Sequence, residues 1–324
     1  MLKSMLSLAS PQGHHGRLSV LIFHRVLAAP DPLLPDEPDV VRFDVLMRWV
    51  SRWFNVLPLD QAVAALRAGT LPPRAASITF DDGYANGYQL ALPILQRYQL
   101  SATFFVATAN LDGGLMWNDR LIEAVRHAPG PWLDTGVEGI GTVRVGSLEE
   151  KRALLAPLLQ TVALLPLPER SEIVTRLVAV SGVVLPQEMM FNATQVRAMR
   201  AADMLIGAHT VNHPCLRACA DDEAEFEIRE GRARLEAIID EPVKLFAYPY
   251  GKPGKDYDSR HVAMVKKLGF EAAFSTCWGS NSASADACQL MRFTPWDRNR
   301  WRFGLRMLGN LFQTEPRVTI GGAS

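Results

Sequence analysis

Short apolar runs that stop abruptly at polar or ionisable residues recur along this chain and constrain its fold more than any other feature. Leu18-Ser-Val-Leu-Ile-Phe runs into His24, and Ile78-Thr-Phe runs into Asp81-Asp82-Gly83. Ala102-Thr-Phe-Phe-Val-Ala107 follows, then Met204-Leu-Ile-Gly-Ala before His209, and Val243-Lys-Leu-Phe-Ala before Tyr248-Pro-Tyr-Gly251. Runs rich in β-formers and continuously apolar suit strands buried on both faces of a parallel sheet. Between them lie segments of helical spacing. Phe43, Leu46, Met47, Val50 and Phe54 share one helical face, Asp60 opens a second helix that Gly69 stops, and 86–99 reads as a helix interrupted at Pro93. Strand and helix in alternation call for an α/β fold with a parallel sheet. In closed parallel barrels, the residues at strand C-terminal ends face the active site.

Two of those strand ends carry chemistry. Adjacent carboxylates such as Asp81 and Asp82 repel each other when both are charged and buried, so a cation, a proton or solvent must relieve them. Asp-Asp-Gly is also good turn chemistry, the plainer reading when it is taken alone. His209 and His213 lie four apart, a spacing that puts both imidazoles on one side of a helical turn, as metal sites do. A surface histidine pair is the alternative. Two imidazoles and one carboxylate leave a coordination position open, which is the catalytic rather than the structural pattern for zinc.

Thr79-Phe-Asp-Asp-Gly83, His209-Thr-x-x-His213-Pro and Ala247-Tyr-Pro-Tyr-Gly251 together resemble the first three motifs of the polysaccharide deacetylases, the NodB-homology or carbohydrate esterase 4 family. They occur in family order, and the resemblance spans roughly residues 18–295. It implies a distorted (β/α) barrel of the NodB/polysaccharide deacetylase type. It also implies that Asp82, His209 and His213 hold one divalent metal, zinc first, with cobalt, nickel or manganese also suited to the donor set. Asp81 would be the base, the backbone N–H of Tyr250 would bind the oxyanion, and Tyr248, Pro249 and Tyr250 would line the substrate groove. The reaction would release acetate from an N-acetylhexosamine-containing glycan or glycolipid-linked saccharide. The nearest sub-pattern resembles bacterial deacetylases of exopolysaccharide or lipid-linked glycan assembly.

Two departures from the family pattern matter. The commoner form has an arginine before the Pro-Tyr pair that orients the base, where this chain has Ala247-Tyr248; Arg292, in the strand-like Leu290-Met-Arg-Phe-Thr, is the candidate substitute, a surface arginine being the default. The commoner form also has a Leu-x-His motif near its C-terminus that supplies the general acid, whereas no histidine follows His261 here. Val20-Leu-Ile-Phe-His24 has the same look at the opposite end of the chain. First and last strands of a closed barrel are neighbours, so His24 is the candidate acid; a satisfied core histidine is the alternative. Two other functional classes share these residues: a catalytically degenerate glycan-binding protein, and a metal-dependent amidohydrolase acting on a small amide.

The rest of the chain is assigned more coarsely. Residues 1–17 read as an N-terminal tail and 28–41, rich in proline, as a wall of the cleft. A mostly helical insertion covers about 112–190, either a lid or structural padding, with Asn118 as a helix cap and Ser147-Leu-Glu-Glu150 as a capping box. Residues 296–324 read as a basic amphipathic tail that docks on the barrel or touches a membrane peripherally through 296–312. With 34 basic and 34 acidic residues, nothing points to nucleic acid. No apolar run approaches the roughly 18 residues of a membrane span. The weak N-terminal patch is too short and polar for a secretory signal, so a cytoplasmic location is expected. Cys215 and Cys219 sit just after the histidine pair; packing is the expected role, with zinc ligation the alternative.

Overall fold

The computed structural model describes residues 2–112, 114–313 and 318. In chain order the elements begin with α1 (Leu2–Ala9), β1 (Ser19–Phe23), α2 (Val40–Trp53), β2 (Asn55–Val56), α3 (Leu59–Ala68) and β3 (Ala75–Phe80). A π-helical turn (Gly87–Ala91) leads into α4 (Leu92–Arg97), and β4 (Thr103–Val106) follows. Pro93 sits in the first turn of α4, where its missing N–H costs nothing, so the break expected at Pro93 is a change of helix type. The insertion comprises α5 (Trp117–Arg126), an antiparallel pair β5 (Trp132–Asp134) and β6 (Thr142–Arg144), α6 (Leu148–Ala163) and α7 (Leu167–Ser181). Then come α8 (Ala193–Ala201), β7 (Leu205–Ala208), α9 (Asp221–Ile239), β8 (Leu245–Ala247), α10 (Ser259–Lys267), β9 (Ala272–Trp278), β10 (Leu290–Arg292) and α11 (Arg300–Asn310).

The main sheet has eight strands in the order β1-β3-β4-β7-β8-β9-β10, with β2 joined to β3. Its ladders are parallel. The end of β10 returns to the first strand, where Ile22 N–H donates to Phe293 O at 3.0 Å and Phe293 N–H to Val20 O at 2.8 Å. The sheet is thereby nearly closed into a barrel.

Alternation along the strands divides the core in two. Val20, Phe105, Leu245, Ala247, Phe274 and Leu290 belong to an inner cluster closed at one end by α3. Leu21, Phe104, Phe246 and Ala273 instead join the larger cluster with the helices. Both faces are therefore buried, which is why these strands read as unbroken apolar runs. The period of two also fixes which residue at each strand end faces inward. His24 follows Val20 and Ile22, Asp81 follows Ser77 and Thr79, Arg292 follows Leu290, and Thr276 follows Phe274. Tyr248 has the opposite phase.

The insertion has a core of its own, with Leu121, Val125, Leu158, Val162, Val174 and Leu177 at its centre and Leu33 contributed by the 28–41 loop. The Ser147 capping box forms as expected, Ser147 accepting from Glu150 N–H and Glu150 from Ser147 N–H. Asn118 is not the cap of α5; Met116 occupies that position. Asp60 likewise lies within the first turn of α3, whose cap residue is Pro58.

Both ends of the described chain pack on the barrel. Within the expected N-terminal tail, Leu2–Ala9 form α1, whose Leu2 and Leu6 are buried; residue 1 lies outside the described residues. A Cβ on Gly304 of α11 would overlap Leu2, so the two helices touch at that glycine. Phe303 of α11 stacks on Trp53 with ring centres 5.9 Å apart and lies 5.8 Å from Trp49. Phe303 and Met307 of α11 are buried against the protein while Trp301 and Leu305 are exposed, and this docking by itself gives no support to membrane contact through 296–312. Within the expected 296–324 tail, 314–317 and 319–324 lie outside the described residues. Among the described residues no helix is long and apolar enough to cross a membrane.

Replacing Phe303 by alanine removes a fully buried ring and should destabilise the protein by about 3–5 kcal/mol, measured as a lower urea midpoint at unchanged m-value. An unaltered midpoint would mean that α11 does not dock.

Candidate active site

Inward-facing strand ends converge on one cleft of about 260 Å³ lined by His24, Asp81, Asp82, His209, His213 and Tyr250. Alternation alone cannot aim both neighbours Asp81 and Asp82 at it. Asp82 does so by adopting φ +74°, and Gly83 follows at +89°. Val106 Cγ1 lies 2.8 Å from where a Cβ on Gly83 would stand, so residue 83 must be glycine for space as well as conformation.

The histidine pair is brought together differently from expectation. No helical turn joins His209 to His213; they flank a loop beyond β7 in which Thr210 and His213 are left-handed, at φ +66° and +51°. The loop is clamped by Glu227 of α9, which accepts from Val211 N–H, Asn212 N–H and Asn212 Nδ2 at 2.9, 2.8 and 2.6 Å.

Asp82, His209 and His213 are buried and present one ligand atom each within 4.8 Å of one another. Asp82 Oδ1 lies 3.4 and 3.3 Å from the two Nε2 atoms and is buried without a hydrogen-bond partner. His209 Nδ1 is 2.7 Å from Ala247 O, and a carbonyl can only accept, so Nδ1 carries the proton and the Nε2 lone pair is free. Burial alone would raise the Asp82 carboxyl, but His213 and His209 outweigh it and hold it far below the usual carboxylate range. Burial pushes His213 down to about 3 against the pull of Asp82, leaving its imidazole neutral. An ionised carboxylate, two imidazoles with free nitrogens and an orphaned buried oxygen make a donor set that fits a divalent cation.

Asp81 has a separate partner. Arg292 donates Nη1 to Oδ1 and Nη2 to Oδ2, both at 2.7 Å, and its Nε to Ser275 O at 2.8 Å. Both residues are buried, so Arg292 is not the surface arginine of the default reading. Burial opposes ionisation of Asp81, yet Arg292, helped by His209, keeps its carboxyl below the ordinary range. Asp81 is an anion fixed in orientation beside the candidate cation site.

Of the three residues expected to line the groove, only Tyr250 does. Tyr248 is fully buried, stacks on Tyr257 at 3.9 Å and donates its hydroxyl to Cys288 O, as its strand phase requires. Pro249 is buried and does not line the cleft. Tyr250 takes φ +59°, its hydroxyl donates to His213 O at 3.3 Å, and its carbonyl accepts from Thr276 Oγ1. The 28–41 loop is not a wall of this cleft; with α2 and Arg298 it lines another cavity of about 590 Å³. The cysteines stay out of the site. Cys215 and Cys219 donate weakly to Asp256 O and Cys215 O, and burial pushes the Cys219 thiol up to about 12.

Sequence reasoning missed the opposite wall, formed by Trp117 and Asn118 of α5 and Leu159, Gln160 and Ala163 of α6. A buried network holds it. Arg25, next to His24, donates to Tyr84 Oη at 2.6 Å and to Asp119 Oδ1 at 2.7 Å, while Tyr84 donates to Asp119 Oδ2 at 2.8 Å. The signal was Arg25 and Tyr84 flanking two of the strand ends, but their partner in the insertion could not be read from spacing.

The chain is similar to known proteins. The profile of the polysaccharide deacetylase family matches residues 68–130 and 173–273, just over half of the chain, which therefore belongs to that family. YxkH of Bacillus subtilis (strain 168) is 29% identical over 92 residues, 28% of this chain and 32% of that protein, so the chain matches about a third of this relative's length. Among solved structures, the Streptococcus pyogenes deacetylase PplD in complex with acetate superposes with TM-score 0.60 at 17% identity, covering 93% of this chain and 99% of the other. IcaB from Ammonifex degensii gives 0.57 at 18% identity, over 92% and 98%. These two likenesses establish the NodB-type barrel.

Replacing Arg292 by methionine strands a buried carboxylate and should cost about 3–5 kcal/mol, read from denaturant midpoints. Adding Asp81→Asn should recover much of that loss. No recovery would show that Arg292 supports the fold through other contacts.

Proposed function

We propose that the protein hydrolyses the N-acetyl group of an N-acetylhexosamine in a glycan or glycolipid-linked saccharide, releasing acetate and leaving an amine. The observation that carries this reading is the division of labour between neighbours: Asp82 faces two imidazoles while Asp81 is held as an anion by Arg292. A divalent metal, zinc by preference, held by Asp82, His209 and His213 would polarise the amide carbonyl and acidify water, the two deficiencies of amide hydrolysis at neutral pH.

The remaining steps fall to the chain's own groups. Asp81 takes the proton of the attacking water, its lone pairs oriented by the Arg292 fork. As oxygen bonds to the acetyl carbon, negative charge gathers on the former carbonyl oxygen. The Tyr250 backbone N–H, which makes no hydrogen bond among the described residues, donates to it. His24 delivers a proton to the nitrogen as the C–N bond breaks, so that an amine rather than an amide anion departs. Its place in the cleft, at the end of β1, supports that role, and β1 lies beside β10 as the displaced histidine motif requires. Trp117 and Asn118, which line the cleft, would contact the sugar from the opposite wall.

Metal-reconstituted protein should release acetate from N-acetylglucosamine oligomers, and His213→Ala should release none. His24→Ala should lower kcat by about 10²–10⁴-fold while leaving bound metal at the wild-type level. Near-full activity in His24→Ala would remove it from the mechanism. Stoichiometric metal without acetate release from any acetylated sugar would favour a glycan-binding protein or a small-amide hydrolase.

A further inference from the structure

A second cavity, of about 340 Å³, adjoins the metal cleft, and Trp117 and His213 line both. Its only charged lining residues are Arg120 and Arg170; no aspartate or glutamate lines it among the described residues. Arginines elsewhere near the site have carboxylate partners, Arg25 with Asp119 and Arg292 with Asp81. Arg120 has no salt bridge among the described residues, and its Nε is buried without a hydrogen-bond partner. Arg170 is buried and has no salt bridge among the described residues; it donates Nη1 to His213 O at 2.9 Å and Nη2 to Asn212 O at 2.7 Å, lies beside the Tyr250 hydroxyl and sits 5.1 Å over the Trp117 ring.

The nearby carboxylates are turned elsewhere. Asp119 is taken by Arg25 and Tyr84, Glu227 by the Val211–Asn212 amides, and Glu169 is exposed. Two helices also begin at this cavity. Met116 and Trp117 at the start of α5, and Arg170 and Ser171 in the first turns of α7, line it, and neither cap residue, Met116 or Pro166, supplies a side-chain cap. Uncapped helix N-termini present free N–H groups and positive potential. Two guanidinium groups without a salt bridge and two such helix starts surround one cavity that no described carboxylate lines, which makes it an electropositive socket.

We infer that this cavity is an anion subsite, and that the acetamido sugar entering the metal cleft carries a phosphate or carboxylate that docks on Arg120 and Arg170. The inference deepens the deacetylase reading and rests on it for the identity of the sugar. It sets the substrate class as an anionic acetamido saccharide rather than an uncharged polymer.

The test compares metal-loaded wild type, Arg120→Gln and Arg120→Lys on N-acetylglucosamine 1-phosphate, N-acetylmuramic acid and uncharged N,N′-diacetylchitobiose. The expected result is a preference for an anionic substrate whose kcat/KM ratio over the uncharged one falls about tenfold in Arg120→Gln, about 1.4 kcal/mol. The loss should lie mainly in KM, and Arg120→Lys should recover part of it. Preference for the phosphate or for the carboxylate probe identifies the source of the charge. An unchanged ratio in Arg120→Gln would overturn the subsite. If no probe releases acetate, titration with inorganic sulfate at low salt decides independently. Binding about tenfold weaker in Arg120→Gln keeps the subsite while the deacetylase reading fails, and equal binding overturns it.

Discussion

Two carboxylates on consecutive residues, both buried, are the constraint on which this structure turns. Neither can lose its charge without cost to the chemistry, and both cannot keep it without help. The protein separates them by giving each a different partner. Asp82 is rotated into left-handed backbone towards two imidazoles, and Asp81 continues the strand's inward phase into the fork of Arg292. Arg292 lies 211 residues away in the chain and reaches Asp81 only because the sheet closes, with Phe293 bonded to β1 and β1 to β3. Barrel closure and the electrostatics of the site are therefore one requirement. Arg292, at an inward position of β10, is brought to the Asp81 carboxylate in this way.

The site concentrates backbone strain. Asp82, Thr210, His213 and Tyr250 all have positive φ, each at a cost of about 1–3 kcal/mol. Such conformations persist only where their surroundings over-determine them. Glu227 grips the amides between Thr210 and His213, Arg170 grips the carbonyls of Asn212 and His213, and Thr276 grips that of Tyr250. The same contacts that bear the strain fix the ligand directions, so the cleft is preorganised before a substrate enters it.

Much of this is legible in the sequence. Apolar runs ending in Asp81-Asp82, His209 and His24 define inward strand ends, and a period of two extends to Arg292. The same counting excludes Tyr248 from the groove, because Ala247 is inward and its neighbour must point to the helices; the family motif obscured that arithmetic. The His209–His213 spacing was informative for the wrong reason, since a clamped loop rather than a helical turn unites the rings. The wall made by Trp117, Asn118 and Gln160 was not legible. Its placement depends on the buried Arg25–Tyr84–Asp119 network, which joins a strand end to an insertion 94 residues on, and no local pattern encodes that distance. Similarly, Leu2 and Gly304 meet across nearly the whole chain, which turns two apparent tails into packed helices.

The central claim is that adjacent carboxylates have opposite duties, and one paired measurement addresses it most directly: zinc stoichiometry and acetate release determined together on Asp81→Asn and Asp82→Asn. The account predicts that Asp81→Asn binds one zinc per chain and is inactive, whereas Asp82→Asn binds little metal and is inactive. Loss of metal in Asp81→Asn with retention in Asp82→Asn, or turnover surviving in Asp81→Asn, would contradict it.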